Sequence, residues 1–399
     1  MTRVPGSGMQ THVAPMTEVG ADTLAAAIKI FDQLDGSAAQ AADARRLPLA
    51  TVDAMKAAHA FRMPMPAAWG GPELPMTDQL LVFEELSYAD GAAGWCAMIG
   101  CDAGYYSAML EDAVAREIWD DLDLVTAGQT SPAGQAVRDG AGWRVSGRWA
   151  FGSGCNHADR IVGGAFLNDA DGAPIADGDL PAWRTFVLPM AAVTLHDNWD
   201  PTGLAGTGSH DYSATDVWVP DEHAMEPLKP GRREGALYAL PWMFIVKAAA
   251  VPIGLARRAL DELTEMARGK LVFPEIAMLD DLPHTHDHVA RSRALVGSAR
   301  ALLHDVVAGA WDELERTGEL QPEGRADLRL AMSHAATACR TAIDLCVAAA
   351  TTTAIKRGSP IDRAHRDVLT ASQHIVLNDR TYGLVGRALL GKATGVPMI

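Results

Sequence analysis

Cysteine is scarce in this chain. Its 399 residues hold five cysteines, an odd number with no Cys-x-x-Cys spacing. Neither a disulfide framework nor a thiolate metal site is expected, and a reducing cytoplasm is the simplest setting. Positive charge is short as well. Against 50 Asp and Glu stand 34 Lys and Arg, a formal net charge of -16. That balance argues against a nucleic-acid partner and against an anionic membrane surface, since both need a basic face. No apolar run can span a bilayer uninterrupted. The nearest approach, residues 235–256, carries Lys247 and is broken by Pro241 and Pro252, whereas a spanning helix wants about 20 consecutive apolar residues. It reads as a helix buried in a large core. The opening MTRVPGSGMQTHVAPMTE has no apolar centre, so residues 1–16 are expected to be a disordered tail and not a signal peptide.

Several signatures of chemistry are missing too. There is no GxxxxGK[ST], HExxH or GxSxG, and GLAGTG (203–208) has the wrong glycine spacing for a dinucleotide loop. His284, His286 and His288 fall at the start of a helix with no further ligand in evidence, so no metal site is expected.

What is present is an ordinary globular composition, 48% hydrophobic and 21% charged, and at roughly 150 residues per domain the length predicts two to three domains. The texture changes twice. Residues 17–124 are Ala-rich with helical spacing. Residues 125–230 alternate in polarity, with turn signals every 8–12 residues, and predict a small antiparallel β-barrel or sandwich. Residues 231–399 return to helices, expected over 241–270, 284–317, 323–357 and 362–391, which reads as a four-helix bundle. The predicted class is therefore α+β, mostly α. So much Ala and Val on the bundle predicts a further interface, and hence a symmetric oligomer, expected as a homotetramer.

Two stretches invite chemistry. In GWRVSGRWAFGSGCNHADRIVGGAF, glycines flank Ser153, so the backbone can approach a flat ligand and Ser153 can offer both a hydroxyl and an N–H. Near the C-terminus, Asp367, Thr370, His374 and Asn378 fall on one stripe of a mostly apolar helix, as a cavity lining would.

The order helices, β domain, bundle resembles the acyl-CoA dehydrogenase superfamily, and more narrowly its flavin-dependent monooxygenases. The resembling residues are Trp69-Gly70-Gly71, FEELSYADGAAGW (83–95), AGQTSPAG (127–134), GWRVSGRWAFGSGCNHAD (142–159), NWDPTGLAGTGSHDYSATDVWVP (198–220) and RAHRDVLTASQHIVLNDRTYGLVGRALLG (363–391). The resemblance implies an oxygenase component that receives reduced flavin, FMNH2 or FADH2, from a separate NAD(P)H-dependent reductase. With O2 it would hydroxylate a small aromatic substrate through a C4a-hydroperoxide. It implies that Gln129, Thr130 and Ser131 lie along the flavin. It further implies that the strand from Trp149 through Phe151 and Gly152 to Ser153 lies against the ring system, with Ser153 near flavin N5. His374 is implied as acid or base. Trp95 is implied at the substrate pocket with Thr370 and Asn378. Asp102, or Cys101, stands where relatives carry a second histidine that this chain lacks. A flavin phosphate needs cationic donors, and Arg268 and Lys270 are the candidates. Two other readings stay open: an acyl-CoA dehydrogenase-like enzyme with Glu234 as its base, and a non-catalytic oligomeric ligand-binding protein.

Overall fold

The computed structural model describes residues 15–396 and 398. Most of the expected tail over 1–16 lies outside the described residues. Seven helices open the described chain: α1 (Glu18–Lys29), α2 (Phe31–Ala44), α3 (Leu49–Ala57), α4 (Met76–Ala89), α5 (Gly91–Gly100), α6 (Ala103–Ser107) and α7 (Asp112–Ile118). Side-chain caps begin two of them. Thr17 Oγ1 accepts from Gly20 N at 3.0 Å to start α1, and Asp90 accepts from Ala93 N at 3.0 Å to start α5. Helix α4 is buried on nearly all sides.

Nine strands follow: β1 (Thr126–Asp139), β2 (Gly142–Gly152), β3 (Arg160–Asn168), β4 (Ala176–Asp177), β5 (Leu180–Pro181), β6 (Trp183–Leu188), β7 (Thr194–His196), β8 (His210–Pro220) and β9 (Ala224–Met225). Seven of them form one sheet in the order β7-β8-β2-β1-β3-β6-β9. The expected all-antiparallel domain is corrected here, because β1 and β3 run parallel. The cause is the segment between β2 and β3. It carries the chain back to where β1 begins, and the amides of Asp159 and Arg160 both bond to Val125 O. From there β3 can only run alongside β1. The sheet also ends in two edges, β7 and β9, and not in a closed barrel.

The remaining elements are α8 (Ala236–Ala239), α9 (Ala250–Ala267), a small hairpin of β10 (Leu271–Val272) and β11 (Ala277–Met278), then α10 (Pro283–Thr317), α11 (Pro322–Ala350), α12 (Pro360–Ala371) and α13 (Arg380–Leu389). Three expected helices change. The one expected over 241–270 starts at Ala250, after a 3-10 run (Met243–Ala249). Pro252 then falls in the first turn, where its missing amide costs nothing. The one expected over 323–357 ends at Ala350, where the Lys270 ammonium takes the last carbonyl and Thr351 turns to a φ of 53°. The one expected over 362–391 breaks into α12 and α13.

One core joins the first and last thirds of the chain. Leu80 and Phe83 of α4 are buried in the same cluster as Val251 and Leu255 of α9, Leu303 of α10 and Met332 of α11. At about 1.5–3 kcal/mol for each large apolar side chain buried, this cluster is the main stabiliser. The β sheet has its own core around Trp143, Trp149, Phe186 and Tyr212. Ion pairs are sealed inside the helical body. Glu84 on α4 meets Arg300 at 2.6 Å and His304 at 2.6 Å on α10, which hold its carboxyl down to about 2 against burial. Lys247, fully buried, pairs with Asp102.

Candidate active site

The β2 strand ends in the sequence Phe151-Gly152-Ser153-Gly154. Phe151 takes a φ of 61° and leaves its ring 68% exposed, edge-on to Trp199. Gly152 is required, because a Cβ there would stand 2.9 Å from the Tyr212 ring. Gly154 sits at a φ of 76° and donates its amide to Thr207 O at 2.8 Å. Between the glycines Ser153 is held inward, 7% exposed. Its Oγ lies 3.2 Å from the Trp95 indole nitrogen and 2.7 Å from Ser209 Oγ.

Trp95 is in turn the wall against which His374 packs. Their rings meet edge to face with centroids 5.4 Å apart and planes at 73°. The structure thus brings three of the sequence-predicted residues together: Ser153 from the sheet, Trp95 from α5 and His374 from the segment between α12 and α13. His374 is half-buried. Burial, and after it the Arg329 guanidinium, lowers its pKa to about 4. The ring is therefore neutral at pH 7, with one nitrogen carrying a proton to donate and the other free to accept.

His374 reaches this place because the helix stops. Arg329 of α11 donates to Val376 O, and Ser333 to Asn378 O. Carbonyls that would continue the helix are drawn sideways, and the Ser372 hydroxyl competes with the backbone by donating to Val368 O at 2.6 Å. The stripe Asp367, Thr370, His374, Asn378 is accordingly split. Asp367 turns to the β domain and accepts the Leu204 amide at 2.6 Å. Burial and then the nearby Asp90 raise its pKa to about 7. Thr370 bonds back to Arg366 O on its own helix. Asn378 lines a groove of about 650 Å³ with Gln373, Arg340 and Arg380, on the α11 side.

Other expected residues are placed elsewhere. Trp149 is fully buried in the sheet core, stacked on Tyr212 at 5.3 Å with its indole N–H on Gly164 O. It cannot present a face to a cofactor, because the glycines 134, 147 and 163 close over it. Gln129, Thr130 and Ser131 lie where β1 slips register against β3. The Gln129 amide donates to the Tyr212 hydroxyl at 2.8 Å, at the far end of the ring that Gly152 abuts. Lys270 is committed to the C-terminus of α11, donating to Ala350 O, Thr351 Oγ1 and Thr353 Oγ1. An ammonium has three protons, so none is left for a phosphate. Arg268 is exposed and paired with Glu265. Asp102 faces Lys247 and Tyr106, where burial pushes its carboxyl up against the pull of the ammonium. It does not replace the missing histidine, and Cys101 beside it is a buried thiol held protonated, near 12. Glu234 lies exposed in the loop before α8.

Two site residues escaped the sequence reading, Thr207 and Ser209. Their signal was the hydroxyls in GLAGTGS (203–209), which a test for glycine spacing passes over.

The order of helices, sheet and helices is that of a known family, and the chain's relatives identify it. Residues 26–113 match the acyl-CoA dehydrogenase N-terminal domain, and residues 246–379 the acyl-CoA dehydrogenase C-terminal domain. The chain belongs to the acyl-CoA dehydrogenase family, in its flavin-dependent monooxygenase branch. It is 31% identical to the indole-3-acetate monooxygenase of Pseudomonas putida, over 87% of this chain and 88% of that protein. It is 27% identical to the oxygenase component of the FADH(2)-dependent resorcinol hydroxylase of Rhizobium sp. (strain MTP-10005), over 91% and 92%. Its fold superposes on the crystal structure of the HsaA monooxygenase from M. tuberculosis with a TM-score of 0.86, at 25% identity over 95% of this chain and 100% of that one.

Proposed function

We propose that the protein is the oxygenase component of a two-component flavin-dependent monooxygenase. It takes reduced flavin from a separate NAD(P)H-dependent reductase and uses O2 to hydroxylate a small aromatic molecule. The observation that carries this reading is the junction of Ser153, Trp95 and His374, where sheet and helices meet. The relatives support it: one is described as FADH2-dependent and as an oxygenase component, and another, XiaF from Streptomyces sp., has a structure with FADH2 bound.

The residues present fit a flavin. Ser153 offers a buried hydroxyl in a stretch where glycine alone fits on the sheet side, and the exposed Phe151 ring adds flat apolar surface next to it. Bound there, reduced flavin supplies two electrons to O2. The rest falls to the chain. Ser153 holds the N5 edge by a hydrogen bond. Phe151, Gly152, Gln129, Thr130 and Ser131 line the flavin, and Arg268 remains as the cation for its phosphate. Trp95 and the depth of Ser153 keep water away from N5, which strengthens each polar contact inside. His374 serves as acid or base toward the substrate, a service typically worth about 10²–10⁴-fold in rate. We further propose a homotetramer. The hairpin tip carries exposed Phe273 and Ile276, and Ile375, Leu389 and Leu390 are exposed near the C-terminus. A second copy would cover such apolar surface. All five cysteines are free and buried, which suits a reducing cytoplasm.

The test is rapid mixing of protein and reduced FMN or reduced FAD with O2. The expected result is slower release of hydrogen peroxide than from free reduced flavin, and hydroxylated product when a phenolic panel is included. Binding of neither reduced flavin would overturn the reading.

A further inference from the structure

We propose that Thr207 and Ser209 are positioning residues that fix the direction of the Ser153 hydroxyl proton. Ser153 then meets its ligand only as a hydrogen-bond acceptor, and the site selects a flavin that carries a proton on N5. This rests on the flavin reading above and adds a source of redox selectivity to it.

The chain of contacts is short and closed. Thr207 Oγ1 lies 2.7 Å from Leu204 O, Ser209 Oγ lies 2.7 Å from Thr207 Oγ1, and Ser153 Oγ lies 2.7 Å from Ser209 Oγ. Thr207, Ser209 and Ser153 are all buried. Each hydroxyl has one proton to give and two lone pairs to receive, whereas a carbonyl only receives. The proton of Thr207 must therefore point at Leu204 O. Thr207 then receives from Ser209, and Ser209 from Ser153. At the other side of Ser153 stands the Trp95 indole N–H at 3.2 Å, a group that only donates. Ser153 thus gives its proton to Ser209 and receives one from Trp95. One lone pair is left.

The anchor of the relay is itself rigid. Leu204 O also accepts the Trp199 indole N–H at 3.3 Å and the Thr207 amide at 3.1 Å. The Leu204 amide is clamped by Asp367. Reversing the relay would turn the Thr207 proton away from Leu204 O and set two lone pairs against each other at 2.7 Å.

A hydroxyl with only a lone pair to offer discriminates between the two redox states of a flavin. Reduced flavin presents N5–H, a donor, which the lone pair accepts. Oxidised flavin presents a bare N5, an acceptor, and the two lone pairs repel. Without the relay, the Ser153 hydroxyl could turn and serve either state.

The experiment is anaerobic equilibrium titration of reduced and oxidised FMN and FAD. The proteins are wild type, Ser209→Ala, Thr207→Val and Thr207→Ser, each with its thermal midpoint. Wild type should bind the reduced form more tightly. Ser209→Ala and Thr207→Val should lower that preference about tenfold, the worth of one hydrogen bond, chiefly by improved binding of the oxidised form. Thr207→Ser, which keeps the hydroxyl, should retain it. If Thr207→Val does not fold, Ser209→Ala, which adds no bulk, decides the matter. If wild type prefers reduced flavin and both variants keep the same preference, the relay has no role and the proposal falls, while the flavin reading stands. Equal binding of both states by wild type also overturns the proposal. Binding of no flavin in any state overturns the reading and the proposal together.

Discussion

His374 and Ser153 make opposite demands on a test. For His374 the question is proton transfer. Its pKa of about 4 lies well below neutrality, so single-turnover hydroxylation should show no His374 titration between pH 6 and 9. His374→Ala should slow the step by about 10²–10⁴-fold. His374→Asn keeps a polar group but cannot take the proton, and should fall in the same range. A variant with the wild-type rate would make His374 a packing residue of Trp95. For Ser153 the question is coupling. Ser153→Ala should raise hydrogen peroxide at the expense of product by roughly tenfold, and should weaken the preference for reduced over oxidised flavin by a similar factor. Unchanged coupling would reduce the Gly-Ser-Gly to a turn. Ser153 stood out in the sequence by its flanking glycines and His374 by the family resemblance, whereas the polar stripe that also pointed to His374 is split in the structure. Thr207 and Ser209 did not stand out. Their hydroxyls acquire a role only when the segment before β8 is laid against the exit of β2, an adjacency no local pattern records.

At the scale of elements, helices were legible where apolar period and length agreed, as in α10. They were misread where tertiary contacts drew the backbone away. Arg329 ends the last helix early, and nothing near residue 372 announces an arginine more than forty positions upstream. The sheet was legible as alternating strands, but its parallel pair was not, because the direction of β3 depends on a connection and not on a pattern. The Asp367 clamp makes a prediction here. In the folded state the Asp367 carboxyl holds its proton to about pH 7, against an ordinary 3.8. The folded state therefore binds the proton more tightly than the unfolded chain, and this group's contribution to stability declines as pH rises from about 4 through about 7. Asp367→Asn keeps an oxygen for the Leu204 amide and removes the titration. Relative to wild type it should gain stability steadily between pH 4 and 7 and level off above. Urea midpoints at pH 4.5, 6 and 8 would show this, and a constant difference would contradict it.

At the scale of the whole molecule, the Lys247–Asp102 pair joins the segment ahead of α9 to the N-terminal helices by a direct, buried contact. Removing one partner leaves a buried charge alone. Asp102→Ala should cost about 3–5 kcal/mol, whereas the apolar double variant Lys247→Met/Asp102→Leu should lie near wild type. Equal losses in both would show that packing and not charge dominates the contact. The assembly prediction belongs here too. Sedimentation at micromolar concentration should give a tetramer, and charges introduced at Phe273 and Ile276 should dissociate it. A wild-type monomer would refute the proposal.

The core shared by the first and last thirds of the chain has a consequence for synthesis. Glu84 meets His304 across 220 residues, and Asp35 meets Arg363 across 328. Helix α4, buried on nearly all sides in the finished protein, leaves the ribosome long before α9, α10 and α11 exist to cover it. The nascent chain must carry that apolar surface uncovered through translation of the whole β domain, and contacts so distant in sequence form late. Newly made protein should therefore depend on chaperones until its last helices emerge, and C-terminal truncations should aggregate rather than yield a smaller folded enzyme.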